Sequence, residues 1–154
     1  MEIERKLNDL GLQLPNLPQP VANYIGFVRV GSLMIIGGNI GRINGAPVKY
    51  MGKVGAEVSL EQAYEVARCC ALNHLAIMKN ALGDLDLVQR IVKVNGYVNV
   101  APGFVDIPKV INGQSDLLVQ LWGERGKHAR CAIGVAALGS GAPVETEMMI
   151  QTQD

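Results

Sequence analysis

Apolar residues recur along this chain at two spacings, which divide it into helices and strands. From Ser59 to Leu82 they fall three and four apart, at Leu60, Ala63, Tyr64, Ala67, Ala71, Leu75, Met78 and Leu82. That period puts them on one face of a long helix. Ser59 and Gln62 have the spacing of a capping box, and Gly83 can close the helix in a left-handed conformation. The alanines permit close packing on a sheet. A second helix is predicted around Pro108, a residue suited to a first turn. It carries Val110, Ile111, Leu117, Leu118, Leu121 and Trp122 and stops at Gly123. A short amphipathic helix is expected over Glu2–Leu10, with Ile3, Leu7 and Leu10 on one stripe and Gly11 as its end. Pro15, Pro18 and Pro20 then impose an extended connector.

Elsewhere the pattern has period two. Asn23–Val30 and Leu33–Gly37 read as strands joined by Gly31-Ser32, and Gly at the first turn position suits a type II′ hairpin. The stretch from Gly41 to Gly55 is irregular, with Asn44-Gly45 as a turn. Leu87–Asn99 reads as a long strand, with Gly96 as a candidate bulge. Ala129–Leu138 is a further strand, broken by Gly139-Ser140-Gly141-Ala142-Pro143 before the last begins near Val144. Alternation places Arg130, Ala132, Gly134 and Ala136 on one face and Cys131, Ile133, Val135 and Ala137 on the other. Glu145 and Glu147 share a face. The order strand, strand, helix, strand, helix, strand, strand predicts an α+β fold, a mixed sheet with two helices on one face. The opposite face leaves apolar residues such as Val92, Val94 and Ile133, or their alternates, bare, and burial against other copies of the chain would cover them.

Composition narrows the function. At 154 residues the chain is expected to hold one domain over 23–154, preceded by the helix and connector over 1–22. A hydrophobic content of 49% excludes disorder. Lys+Arg and Asp+Glu each number 14, so there is no basic excess for nucleic acid, which is an unexpected partner. Cys69, Cys70 and Cys131 form no disulfide framework and no CxxC pair, as expected of reduced thiols in a cytoplasmic protein. With only His74 and His128, no multi-histidine metal site forms, and no metal is expected. His74, inside the long helix, reads as structural. No apolar run is long enough to cross a membrane, and the charged N-terminus lacks a signal-peptide core. The glycines between residues 41 and 55 lack the spacing of a phosphate loop.

The remaining candidates for chemistry are few. Arg130 is a lone guanidinium among small residues. It reads either as a rim ion pair or as a bidentate contact to a carboxylate or phosphate. The glycines of Gly37-Gly38-Asn39 let a backbone approach something closely. Tyr24 is either a packed aromatic or a pocket wall, and Asn112 either a solvent-facing amide or a pocket residue.

In three separated segments that occur in the right order, the chain resembles the Rid family (reactive intermediate deaminases, also called the YjgF or L-PSP endoribonuclease family). The C-terminal signature of that family is an Arg, a hydrophobic strand, a loop often carrying Pro, and a V-E-x-E strand. Here these are Arg130, Ile133-Gly134-Val135-Ala136, the Gly/Pro loop and Val144-Glu145-Thr146-Glu147. A Tyr before the first hairpin corresponds to Tyr24. The family's Ser-Gly-Gln has become Gly37-Gly38-Asn39, and an Asn in the second helix corresponds to Asn112. The resemblance runs from about Tyr24 to Ile150. The N-terminal helix and an apparent insertion between Val100 and Pro108 mark a divergent branch.

The resemblance implies a chorismate-mutase-like fold and homotrimers, with sheets around a central barrel and ligand clefts between subunits. It further implies hydrolysis of small imines or enamines bearing a carboxylate, such as 2-aminoacrylate, to 2-keto acids and ammonia, without metal or organic cofactor. Arg130 would clamp the carboxylate and Glu145 would activate water. Backbone groups near Gly38 and Ile133 would orient the imine nitrogen, and Tyr24 of a neighbouring subunit would wall the pocket. Many deaminating members carry a Cys two residues after the Arg, where this chain has Ala132. That change favours the alternative of a trimer that binds a small carboxylate metabolite without turnover. Endoribonuclease activity, the family's older label, ranks last.

Overall fold

The computed structural model describes residues 1–16, 23–43 and 45–153. In chain order the elements are α1 (Glu2–Asp9), β1 (Phe27–Val30), β2 (Leu33–Asn39), β3 (Arg42–Ile43), β4 (Ala46–Pro47), α2 (Leu60–Leu82), β5 (Val88–Asn99), α3 (Ile107–Trp122), β6 (Ala129–Val135) and β7 (Val144–Thr152). β3 and β4 make a separate small hairpin. The others form one sheet in the order β1-β2-β7-β5-β6. Within that sheet, among the described residues, only β5 and β6 pair in parallel, and α3 supplies the crossover that a parallel pair needs.

The long helix forms for local reasons. Ser59 accepts from the Gln62 amide at 3.1 Å, the Gln62 side chain accepts from the Ser59 amide, and Gly83 ends the helix at φ +76°. Both α2 and α3 lie on one sheet face. Met34 and Ile36 from β2, Val94 and Val98 from β5, and Met148 and Ile150 from β7 bury against Ala67, Ala71 and Leu75 of α2 and Ile111 and Leu118 of α3. Val94 is therefore covered, whereas Ile133 is open as expected.

Two glycines set the spacing of these layers. A Cβ on Gly113 would stand 2.0 Å from the Tyr64 carbonyl oxygen, and one on Gly96 would stand 2.4 Å from Ile111 Cδ1. Gly96 marks close helix–strand packing rather than a bulge. The β5 irregularities lie earlier, between Val88 and Arg90 and between Ile91 and Lys93.

Other boundaries move. Pairing begins at Phe27 rather than Asn23, because the chain before Gly26 leaves the sheet and lines a cavity. β2 continues through Gly37-Gly38 to Asn39. β6 ends at Val135, before Leu138. Ile3 and Leu7 of α1 are buried but Leu10 is 43% exposed, since the helix ends before it. Asp86 satisfies the first turn of α1, accepting from the amides of Glu2 and Ile3. Of the predicted turns, Gly31 has the positive φ (+58°) that a type II′ hairpin requires. Pro18, Pro20 and Asn44 lie outside the described residues.

Candidate active site

A cavity of about 440 Å³ opens where β1 has not yet begun. Tyr24 to Phe27 form one wall and Gly37 to Ile40 another, with Arg42, Ile77, Asn80, Gly139, Ser140 and Glu145 completing it. A bulge shapes the floor. Ile36 pairs with Met148 and Asn39 with Thr146, so Gly37 and Gly38 together oppose Glu147. The missing side chain at Gly38 makes room for Glu145: a Cβ there would lie 2.4 Å from Glu145 Oε1. The Glu145 carboxyl thus rests on the β2 backbone. Burial, and secondarily the negative charge of Glu147, raise its pKa above the usual carboxylate value. Glu147 is held apart from it, accepting from Tyr97 Oη at 2.8 Å and Asn95 Nδ2 at 3.0 Å.

The Gly37 carbonyl faces polar groups from two directions. Asn39 Nδ2 donates to it at 3.2 Å. His74 Nε2 lies 3.3 Å away and, because a carbonyl can only accept, carries the proton. The other ring nitrogen then accepts from Gln114 Nε2 at 3.3 Å. His74 is fully buried, and desolvation pushes its pKa down to about 4. It is a neutral structural histidine supporting the cavity floor. The Asn73 side chain holds the Arg42 backbone from both sides, accepting from its amide at 2.9 Å and donating to its carbonyl at 2.7 Å.

A second polar cluster lies on the far side of the sheet, between β6 and α3. Arg130 Nη1 donates to Asn112 Oδ1 at 2.7 Å and to Ser115 Oγ at 3.2 Å. Ser115 Oγ is 2.9 Å from His128 Nε2, and His128 Nδ1 is 2.7 Å from the Gly126 carbonyl. Ala132 stands in register with Gly96. Cys131 pairs with Asn95, on the opposite face from Arg130, as alternation predicts.

The fold therefore divides the expected residues. Tyr24, Gly37, Gly38, Asn39 and Glu145 line one cavity of one chain, while Arg130 and Asn112 meet each other at the β6 edge. Ile133 belongs to neither group and sits on the open sheet face, in register with Tyr97, which in turn pairs with Glu145. Sequence reasoning missed Arg42, Asn80, Ser115 and His128. Of these only Ser115 carried a signal, three residues after Asn112 and so beside it on a helix. Among the described residues, Glu4, Asp84 and Asp86 bring carboxylate oxygens within 4.8 Å of one another. Asp86 is engaged by the α1 amides and Glu4 by Lys79, so the trio anchors α1.

Comparison with known proteins assigns the class. Residues 4–141 match the family described as "YjgF/chorismate mutase-like, putative endoribonuclease", and the chain belongs to that family. It is 39% identical to "Protein TCP17" of Trypanosoma cruzi over 97% of this chain and 93% of that one. A crystal structure of a protein of unknown function from Agrobacterium tumefaciens is also 39% identical, with a TM-score of 0.91 over 98% of this chain and 92% of that one. RidA from an Antarctic Psychrobacter is more distant, 26% identical with a TM-score of 0.60 over 90% of this chain and 98% of that one. The chorismate-mutase-like α+β fold expected from the sequence is the observed one.

Proposed function

We propose that this protein hydrolyses small imines or enamines that carry a carboxylate, giving a 2-keto acid and ammonia. The observation that carries the reading is the half-buried Glu145 carboxyl laid on Gly38 in a cavity, with a raised pKa. A carboxylate of raised pKa is a better proton acceptor near neutrality. The clamp would be Arg130 of a neighbouring copy, held ready by Asn112. Family membership supports a homotrimer with such shared clefts.

In this scheme the guanidinium takes the substrate carboxylate in charge-assisted hydrogen bonds. Water held by Glu145 adds to the imine carbon while its proton passes to the Glu145 carboxylate. The same proton then passes to the nitrogen, giving a carbinolamine. The Glu145 carboxylate next takes the remaining hydroxyl proton and hands it to the nitrogen, so that the carbonyl forms as the carbon–nitrogen bond breaks and ammonia leaves. Atoms and charges balance without a cofactor. Asn39 and the backbone at Gly37-Gly38 would orient the nitrogen, and Tyr24 would cover the cleft.

The test is release of 2-ketobutyrate from freshly generated 2-iminobutyrate. Wild type should accelerate it. Glu145→Gln should lose at least about 100-fold in kcat, as expected for removal of a general base. Arg130→Ala should act mainly on KM and leave the fold intact. Ala132, in place of the thiol of many deaminating members, favours the second reading, a trimer that binds a carboxylate metabolite without turnover. A folded wild type that binds 2-ketobutyrate but does not accelerate its formation would establish that reading instead.

A further inference from the structure

Behind Arg130 lies a directional chain of hydrogen bonds. The Gly126 carbonyl can only accept, so His128 Nδ1, 2.7 Å away, carries a proton. In the neutral ring Nε2 is then an acceptor, and the Ser115 hydroxyl at 2.9 Å donates to it. That orientation turns the Ser115 lone pairs toward Arg130 Nη1, 3.2 Å away. The relay is anchored on α3 at both ends. Ser115 belongs to α3, and Gly126 packs so tightly on that helix that a Cβ would lie 2.3 Å from the Leu118 carbonyl oxygen.

We propose that Ser115 and His128 are positioning residues for Arg130, forming a proton-sensitive relay that holds the guanidinium ready for a carboxylate only while His128 is neutral. This deepens the reading of Arg130 as a clamp and rests on it. A second proton on His128 would place an N–H against Ser115 and turn the hydroxyl hydrogen away. One oxygen would then face two cations, and their repulsion would release Arg130 from Asn112 and Ser115. Burial, and then the Arg130 charge, lower the His128 pKa from its usual value, so the relay stands at neutral pH and fails in acid. The other charged groups nearby have partners or lie across the sheet. Glu124 and Lys127 pair with each other at 2.6 Å, Arg125 donates to the Val88 carbonyl, and Asp116 accepts from Tyr64 Oη at 2.7 Å. Lys93 of β5 stands in register with Ala129.

Two measurements on the full chain test this. The first is an imidazole ¹⁵N NMR titration, with His74→Gln used to assign the signals. His128 should appear as the Nδ1–H tautomer with a pKa below about 6.5, and Arg130→Ala should raise that pKa. An Nε2–H tautomer, or a titration that ignores Arg130→Ala, overturns the relay. The second is binding of 2-ketobutyrate by calorimetry from pH 8 to pH 5. Wild-type affinity should fall with acid. His128→Ala should weaken binding about tenfold at pH 8, the worth of one hydrogen bond to a charged group. His128→Gln, which offers an acceptor but no titration, should restore affinity and flatten the pH dependence. PH-independent wild-type binding, or His128→Ala binding as tightly as wild type, overturns the proposal. A wild type that neither binds nor turns over removes the function proposed above, and the NMR titration alone then decides the relay.

Discussion

At position 38 a hydrogen in place of a side chain lets a carboxyl lie flat on a strand. Gly38→Ala would put a methyl 2.4 Å from Glu145 Oε1. The carboxyl is the flexible end of a long side chain, so it swings away and the strand stays. Turnover should drop about 10- to 100-fold, the cost of misplacing a reacting group by an ångström, with little change in the urea midpoint. His74 gives the opposite kind of prediction, one of stability. Its folded pKa is pushed down to about 4, so the unfolded chain takes up a proton more readily. The stabilisation is therefore full above about pH 6.5 and is lost as pH falls toward 4. Urea midpoints across that window should slope upward with pH, and the slope should shrink in His74→Gln. Residues of this kind were unevenly legible. Arg130 announces itself as a charge beside small residues, and Glu145 stands out through the V-E-x-E resemblance. Ser115 and His128 are 13 positions apart and meet only because the 3₁₀ turn over Gly123–Gly126 folds the chain back on α3, so no local pattern pairs them.

Among elements, α2 was legible almost to the residue because both its ends are closed by local signals, the Ser59–Gln62 capping box at one and the left-handed Gly83 at the other. β1 and β2 were less so. Their limits depend on β7, whose pairing carries β2 through two glycines that, read alone, signal a strand end. The contact of α2 with α3 was not legible either, since Gly113 looks like a helix weakness. It is instead where the two backbones approach. Gly113→Ala would drive a methyl to 2.0 Å from the Tyr64 carbonyl oxygen, which is backbone and cannot turn aside. The helices must separate, and unfolding should show a loss of about 1–3 kcal/mol, as overpacking does. Glu145→Gln, by contrast, should leave the urea midpoint near that of wild type, which separates loss of chemistry from loss of packing.

For the whole molecule, the sheet keeps one face uncovered. Val28, Val30, Ile35 and Ile133 are exposed on it, Val30 by 64%. The bare face was expected from counting two helices against one sheet, with the alternation of β5 left open; the irregularity after Ile91 decides it and puts Val94 on the covered side. Across this sheet the Glu145 cavity and Arg130 are kept apart, with β5 standing between β7 and β6. In the proposed shared cleft each copy lends its base to one neighbour and its clamp to the other. Two inactive variants can then rescue one another. When Glu145→Gln and Arg130→Ala chains are unfolded together and refolded as an equal mixture, about a quarter of the clefts in a closed ring should pair an intact base with an intact clamp. Ketobutyrate release from that mixture, absent when the same two proteins are refolded separately and combined, would make catalysis a property of the ring and of no chain within it.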